Sequence, residues 1–232
     1  MLFDIITIFP KLFDGFLSES LISRAQTKKI LKIGVHNLRK WTTDKHKTVD
    51  GKPFGGGVGM VMKVEPIYKA VKNLKPNKKT RVILFSPRGK KLTQADAKRL
   101  IKYNQLILIC GRYEGVDERV ADHIADEIIS IGDYILNGGE VAAMALIEVT
   151  SRMIPGFIAK QESANKFDHA QYTRPEEFFI KEGIIFGEKT KNKKQIWKVP
   201  KVLLSGNHKK IEEWRKKHAK KKQFKNTIDI VF

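Results

Sequence analysis

Apolar and polar positions fall into blocks along this chain, and the blocks change period in a regular way. Residues 2–9 are mostly apolar, interrupted by Asp4 and Thr7 and closed by Pro10, the pattern of a buried strand. Leu12, Phe13, Phe16, Leu17 and Leu21 then recur at helical spacing, predicting a helix from Pro10 to about Gln26, and residues 30–35 predict a second strand. Residues 41–62 lack an apolar period and turn Gly-rich (Gly51, Gly55, Gly56, Gly57, Gly59), so they read as a long loop of the functional kind. From residue 79 the rhythm is strict. Strands at 81–85, 105–110 and 127–131 alternate with a helix from Thr93, its cap, to about Tyr103, a helix ending near Ile124, and a helix over 140–154. Such alternation predicts an α/β fold, a parallel sheet with helices on its faces.

Each of these last three strands opens into a glycine-containing loop: Ser86-Pro87-Arg88-Gly89, then CGRYEG (110–115), then IGDYILNGGE (131–140). Ligands of open α/β sheets bind beyond the carboxyl ends of the strands, so the three loops are predicted to converge on one site. Their glycines permit close backbone approach, and Ser86, Arg112, Glu114, Asp133, Asn137 and Glu140 supply polar groups.

Past residue 154 the character changes. Pro155-Gly156 stops the helix, residues 159–171 read as a polar linker, and residues 172–232 as a small helical domain following an α/β domain of residues 1–158. In the second domain Ile211, Trp214 and His218 share one face of a helix that begins near Asn207-His208.

Composition sharpens the picture. The 232 residues carry 45 Lys plus Arg against 25 Asp plus Glu, a net charge of +20, which points to a polyanionic partner because neutralised phosphates release condensed counterions. Residues 181–225 hold sixteen Lys or Arg against four Glu, so the surplus is concentrated at one end. Charge alone does not separate RNA from DNA. Hydrophobic residues at 41% are enough for a core, and no apolar run reaches the ~18 residues of a spanning helix. The N-terminus has no cationic leader. With one cysteine, Cys110, at the end of an apolar strand, neither a disulfide framework nor a Cys-rich zinc site is expected, and the cysteine reads as a small core residue in a cytoplasmic protein.

Standard signatures fail. The glycines at 55–59 do not follow a strand, as a dinucleotide fingerprint requires, and no GKS or GKT completes a phosphate-binding loop. The six histidines never pair at i, i+4 beside a third ligand, so no metal site is predicted.

The strings ITIFP (6–10), DKHKTVDGKPFGGGVGMVM (44–62), LFSPRGKKL (84–92), LICGRYEGVDERV (108–120), SIGDYILNGGE (130–140), SRMIPG (151–156), QYTRPEEF (171–178) and VLLSGNHKKIEEWR (202–215) together resemble the bacterial tRNA (guanine-N1)-methyltransferases, the TrmD family of the SPOUT class. The resemblance covers the chain nearly end to end. It implies a deep trefoil knot, a homodimer whose site is shared between subunits, and S-adenosylmethionine as co-substrate, with magnesium as an auxiliary ion. By motif matching the cofactor would meet Gly111 and the stretch Ile131, Gly132, Asp133, Tyr134, Ile135, Leu136, with Ser86, Pro87 and Gly89 as another wall and Glu114, Gly138 and Gly139 nearby. Arg152 matches the family's catalytic arginine. Asp168, the only aspartate in the linker, takes the place of the general base, with Glu162 as the fallback because the linker is shorter than the family's. The substrate implied is guanosine 37 of tRNA, preferably after guanosine 36, with Lys45, His46 and Lys47 on the loop that would close over it. Residues 180–197 look like an insertion relative to the family. Two competing readings remain: a basic RNA-binding protein without catalysis, and a SPOUT enzyme methylating a ribose 2′-hydroxyl.

Overall fold

Five parallel strands lie side by side in the order β2-β1-β6-β5-β7 in the computed structural model, which describes residues 1–160, 169–180, 184–185, 188–189 and 195–219. They are β1 (Leu2–Thr7), β2 (Lys32–Asn37), β5 (Thr80–Lys91), β6 (Gln105–Ile109) and β7 (Glu127–Ser130); β3 (Asp50–Gly51) and β4 (Val61–Met62) form a separate short antiparallel pair. The chain divides into two compact units, Met1–Ala164 and Asn165–Phe232.

Side chains alternate across the sheet, as period-two strands require. Phe3, Ile5, Ile83, Phe85, Leu106 and Leu108 pack to one side, against Ile22 and Ala25 of α2 (Ser20–Thr27) and Ala142, Ala143, Leu146 and Ile147 of α6 (Glu140–Ser151). Ile6, Val82, Leu84, Ile107 and Ile109 pack to the other, against Ile67, Ala70 and Val71 of α3 (Val64–Asn73) and Val120 of α5 (Glu118–His123). A line of polar groups crosses the sheet within this packing. The buried Asp4 carboxylate pairs with His36 Nε2 at 2.7 Å and accepts from Gln105 Nε2 at 2.8 Å, and Thr80 Oγ1 donates to Gln105 Oε1 at 2.8 Å. Every member has a partner, which is what keeps buried polar groups from destabilising a core.

The structure departs from the sequence pattern in four places within the first unit. The single helix predicted after Pro10 is broken into a 3-10 turn (Pro10–Phe13), α1 (Asp14–Ser18) and α2, because Glu19 is extended and Ser20 takes a positive φ of 57°. Strand β2 lies two residues later than expected, in register with β1 from Leu2↔Lys32. Helix α3 was not predicted at all, although Ile67, Ala70 and Val71 carry its period. The Ser86–Gly89 loop is a bulge inside β5 rather than a strand end: Phe85 and Lys90 both register against Ile129, so the four residues between them leave the ladder. A Cβ on Gly89 would stand 2.6 Å from the Ile128 carbonyl carbon, so glycine is required where the bulge rejoins the sheet.

The second unit is not purely helical. Its described residues include β8 (Glu177–Ile180) paired antiparallel with β11 (Gln195–Lys198), β9 (Ile184–Ile185) paired with β10 (Glu188–Lys189), and the helices α7 (Lys201–Leu204) and α8 (His208–His218). Strands β9, β10 and most of β11 fall in the stretch that reads from sequence only as an insertion, whereas β8 begins inside the QYTRPEEF string. Asn207 caps α8, as its position predicts, and Trp214 stacks on His218 with ring centroids 4.0 Å apart.

Helix α4 (Gln94–Leu100) starts on a reciprocal capping box between Thr93 and Asp96. Burial works to raise the Asp96 carboxyl, but hydrogen bonds from Lys90, Thr93 and Arg99 outweigh it and hold the group well below the usual carboxylate range. A depressed carboxylate contributes stability above its unfolded value near pH 4 and loses it as pH falls further. Asp96→Asn should therefore be less stable than the native chain by roughly 1–3 kcal/mol at pH 7, with the gap narrowing below pH 4, as read from urea midpoints at several pH values.

Candidate active site

The carboxyl ends of β6 and β7 and the bulge of β5 open onto one cleft of about 500 Å³, a size typical of pockets that enclose small organic ligands. Of the residues predicted for the site, Ser86, Pro87, Gly111, Glu114, Ile131, Gly132, Tyr134, Ile135, Leu136, Gly138 and Gly139 line it. Two do not: Gly89 abuts the β7 backbone, and Asp133 points outward to an ion pair with Lys91. Among residues the sequence pattern did not single out, Tyr113 and Val116 also line the cleft, and Arg88 and Glu118 pair there at 2.5 Å. Their signal was proximity to the loop glycines and nothing more.

One buried carboxylate ties the cleft together. Glu140, 1% exposed at the first turn of α6, accepts from Thr7 Oγ1 at 2.7 Å and from Arg112 Nε at 2.9 Å. Arg112 in turn donates through Nη1 to the Asn137 carbonyl at 3.2 Å and lies 4.7 Å over the Phe9 ring. The end of β1, the loop after β6 and the loop after β7 are thereby fixed to each other. The helix N-terminus favours this negative charge.

Glycine is demanded where the two loops cross. Gly139 N–H donates to the Gly111 carbonyl at 2.9 Å, and a Cβ on Gly139 would stand 2.8 Å from Cys110 Cα. The loop after β7 is further tightened by Ser130 Oγ, which donates to the Gly132 carbonyl at 2.9 Å. Cys110 itself is fully buried. Burial pushes its thiol well above the ordinary range, the Glu140 charge adds to this, and Arg112 opposes it, so it is a core residue as its place in the strand predicts.

The Gly-rich segment is fastened to the same wall. Met62 N–H donates to the Gly115 carbonyl at 2.9 Å, and Glu114 N–H to the Met60 carbonyl at 3.0 Å. Beyond these feet Phe54 and Val58 project fully into solvent, and Lys45, His46 and Lys47 occupy an exposed turn.

Arg152, predicted for chemistry, is placed elsewhere. Arg152 caps the C-terminus of α6 and is exposed; at ~1.5 Å rise per residue it stands roughly 18 Å along the helix from Glu140 and is not part of the cleft lining. Asp168 and Glu162 lie outside the described residues. Among the described residues no group of three His, Cys, Asp or Glu could hold a metal ion, and no helix is long and apolar enough to cross a membrane.

Comparison with known proteins agrees with this architecture. The family model described as tRNA (Guanine-1)-methyltransferase TrmD matches residues 1–232. The chain belongs to the TrmD family. Curated relatives named tRNA (guanine-N(1)-)-methyltransferase include those of Dictyoglomus turgidum, 47% identical over 98% of this chain and 89% of the relative, and Endomicrobium trichonymphae, 44% identical over 100% and 99%. A TrmD relative from Bacillus pumilus is 40% identical over 100% of this chain and 92% of its own. The sequence-based assignment to this family is thus shown.

Glu140→Ala would leave the Arg112 guanidinium and the Thr7 hydroxyl without their acceptor. The expected cost is about 3–5 kcal/mol, whereas Glu140→Gln, which retains an acceptor oxygen, should cost less. Chemical denaturation of both variants checks the order.

Proposed function

We propose that this chain transfers a methyl group from S-adenosylmethionine to N1 of guanosine 37 in tRNA. Family membership along the entire chain, joined to a cleft at the loops where the motifs fall, carries the reading. The cleft suits the co-substrate. It is lined by backbone and apolar surface from Leu84, Ile131, Ile135 and Leu136, with glycines where a Cβ would fill space, as an adenosine and an amino-acid moiety need in the absence of a phosphate cradle. Bound there, S-adenosylmethionine supplies a methyl group on a sulfonium.

The protein's own residues have two tasks. Guanine N1 carries a proton and is a poor nucleophile, so a base must remove that proton as the N1–methyl bond forms and the sulfur–methyl bond breaks. Asp168 takes the proton. Charge then builds on O6, and the Arg152 guanidinium stabilises it. Arg152 stands at the far end of α6 from the cleft of its own chain, so its task calls for a second copy of the chain, and we read the enzyme, as the family resemblance implies, as a homodimer with composite sites. The trefoil knot in residues 1–158 is what the family resemblance implies, and the lysine-rich residues 172–232, joined by the 159–171 linker, are read as the RNA-binding domain. A base in an anticodon loop is unpaired and can be drawn into such a pocket. Magnesium would be an auxiliary ion, and the cytoplasm is the compartment that fits.

Labelled S-adenosylmethionine with an unmodified transcript bearing G36 and G37 should yield N1-methylguanosine, and a G37-to-A transcript should yield none. Label in a 2′-O-methyl nucleoside would favour the ribose reading. Cofactor-induced thermal stabilisation without transfer would favour the non-catalytic one. Asp168→Ala should lower turnover by about 10²–10⁴-fold while leaving that thermal shift intact.

A further inference from the structure

The hairpin of the second unit leaves four large apolar side chains half in solvent. Phe178 faces Trp197 across β8 and β11, and Phe179 faces Ile196 on the opposite side. Their exposures run from 41% for Ile196 to 59% for Phe179, with Phe178 and Trp197 both at 53%. The Phe178 and Trp197 ring centroids are 5.9 Å apart with planes inclined by 38°, so the two rings make one continuous aromatic surface. A two-stranded ribbon is only marginally stable in water. Singly exposed apolar residues are ordinary, but a cluster on both faces of such a ribbon marks a surface that binds something.

Charge decides what. Lys198, at the end of β11, pairs with Glu177 across the ribbon at 2.6 Å, Lys201 follows it, and in the sequence Lys189, Lys191, Lys193 and Lys194 lie between its strands. Residues 165–232 carry eighteen Lys or Arg against eight Asp or Glu. Lysine is depleted at the cores of protein interfaces, whereas aromatic rings set among lysines are the usual platform for unpaired nucleic-acid bases. Nothing comparable is required by the chemistry at G37.

We propose that the Phe178–Trp197 face is a stacking platform for unpaired bases of the RNA substrate, away from the methylated position. This rests on tRNA being the substrate. Stacking is a contact between neutral groups, so it differs from phosphate attraction in its response to salt.

The test measures equilibrium binding of unmodified tRNA at several salt concentrations for the native chain, Trp197→Ala, Phe178→Ala and Trp197→Phe. Methyl transfer at saturating tRNA, the thermal shift with S-adenosylhomocysteine and the oligomeric state by sedimentation are measured alongside. Trp197→Ala should weaken binding about 5- to 150-fold, and Trp197→Phe should recover much of the loss. The slope of log affinity against log salt and the thermal shift should be unchanged. Unaltered affinity in both alanine variants would overturn the proposal. So would a loss of affinity that accompanies dissociation of the oligomer, which would assign the face to a subunit contact. If the native chain binds tRNA without methylating it, yet Trp197→Ala still weakens binding, the platform is supported and the methyltransferase reading fails.

Discussion

The cleft depends on a charge taken out of water. Glu140 is almost wholly buried, and its two carboxylate oxygens are divided between β1, through Thr7, and the loop after β6, through Arg112. A carboxylate in such a place is tolerated only with strong partners, and here one partner ends a central strand while the other sits on a loop that would otherwise be independent. The next link follows from the first. Arg112, held by Glu140, holds the Asn137 carbonyl, so the chain preceding α6 is fixed by the residue that begins α6. Loops are normally the least constrained parts of an α/β fold; this arrangement gives two of them the rigidity of the sheet and so preorganises a binding surface made largely of backbone.

Such a surface has a steric condition, and it explains the glycines better than flexibility does. Gly139 passes so near Cys110 that any side chain would meet backbone, and Gly138 so near Arg112 that any side chain would displace the guanidinium. Gly89 answers to the β7 backbone in the same way. These glycines are sites of close approach, which is why their clustering predicted convergence of the loops even without a recognisable fingerprint. Where glycine serves conformation instead, as at positions 55–59 with φ from 82° to 125° apart from residue 58, the segment projects into solvent.

How much was legible followed from this physics. The strands β5, β6 and β7 were legible because their apolar runs are buried on both faces, and their loops because turn chemistry is local. Helix α3 was missed because Pro66 and the lysines at 69 and 72 mask a period that only Ile67, Ala70 and Val71 carry, and only packing against the sheet reveals it. The bulge of β5 was read as a loop because sequence registers the departure of residues 86–89 from the ladder but not the re-entry of Lys90 opposite Ile129. Glu140 stood out as a polar group of the third loop, yet its partners are 133 and 28 residues away, and no local pattern encodes such pairs. The ribbon at 177–198 was passed over because charge dominates its composition.

On the proposed reading, the distribution of charge and the rigidity of the cleft divide the work between the two units. Two sets of partnered polar groups brace the core of the first unit, the Asp4, His36, Gln105 and Thr80 line and the Glu140 clasp. Its binding surface can therefore discriminate by shape, since displacing any wall breaks buried hydrogen bonds. The second unit has the opposite constitution: a dense positive surplus, exposed aromatics and a helix, α8, with no buried residue. Attraction of that kind is long in range and tolerant of geometry, which suits capture of a large polyanion, while the methyl group must be placed to within a fraction of an ångström by the clasped loops. On the proposed reading, a chain that has to do both gains from keeping them in separate units, because a dense positive surplus would unsettle a site whose deep carboxylate is already committed to holding it shut.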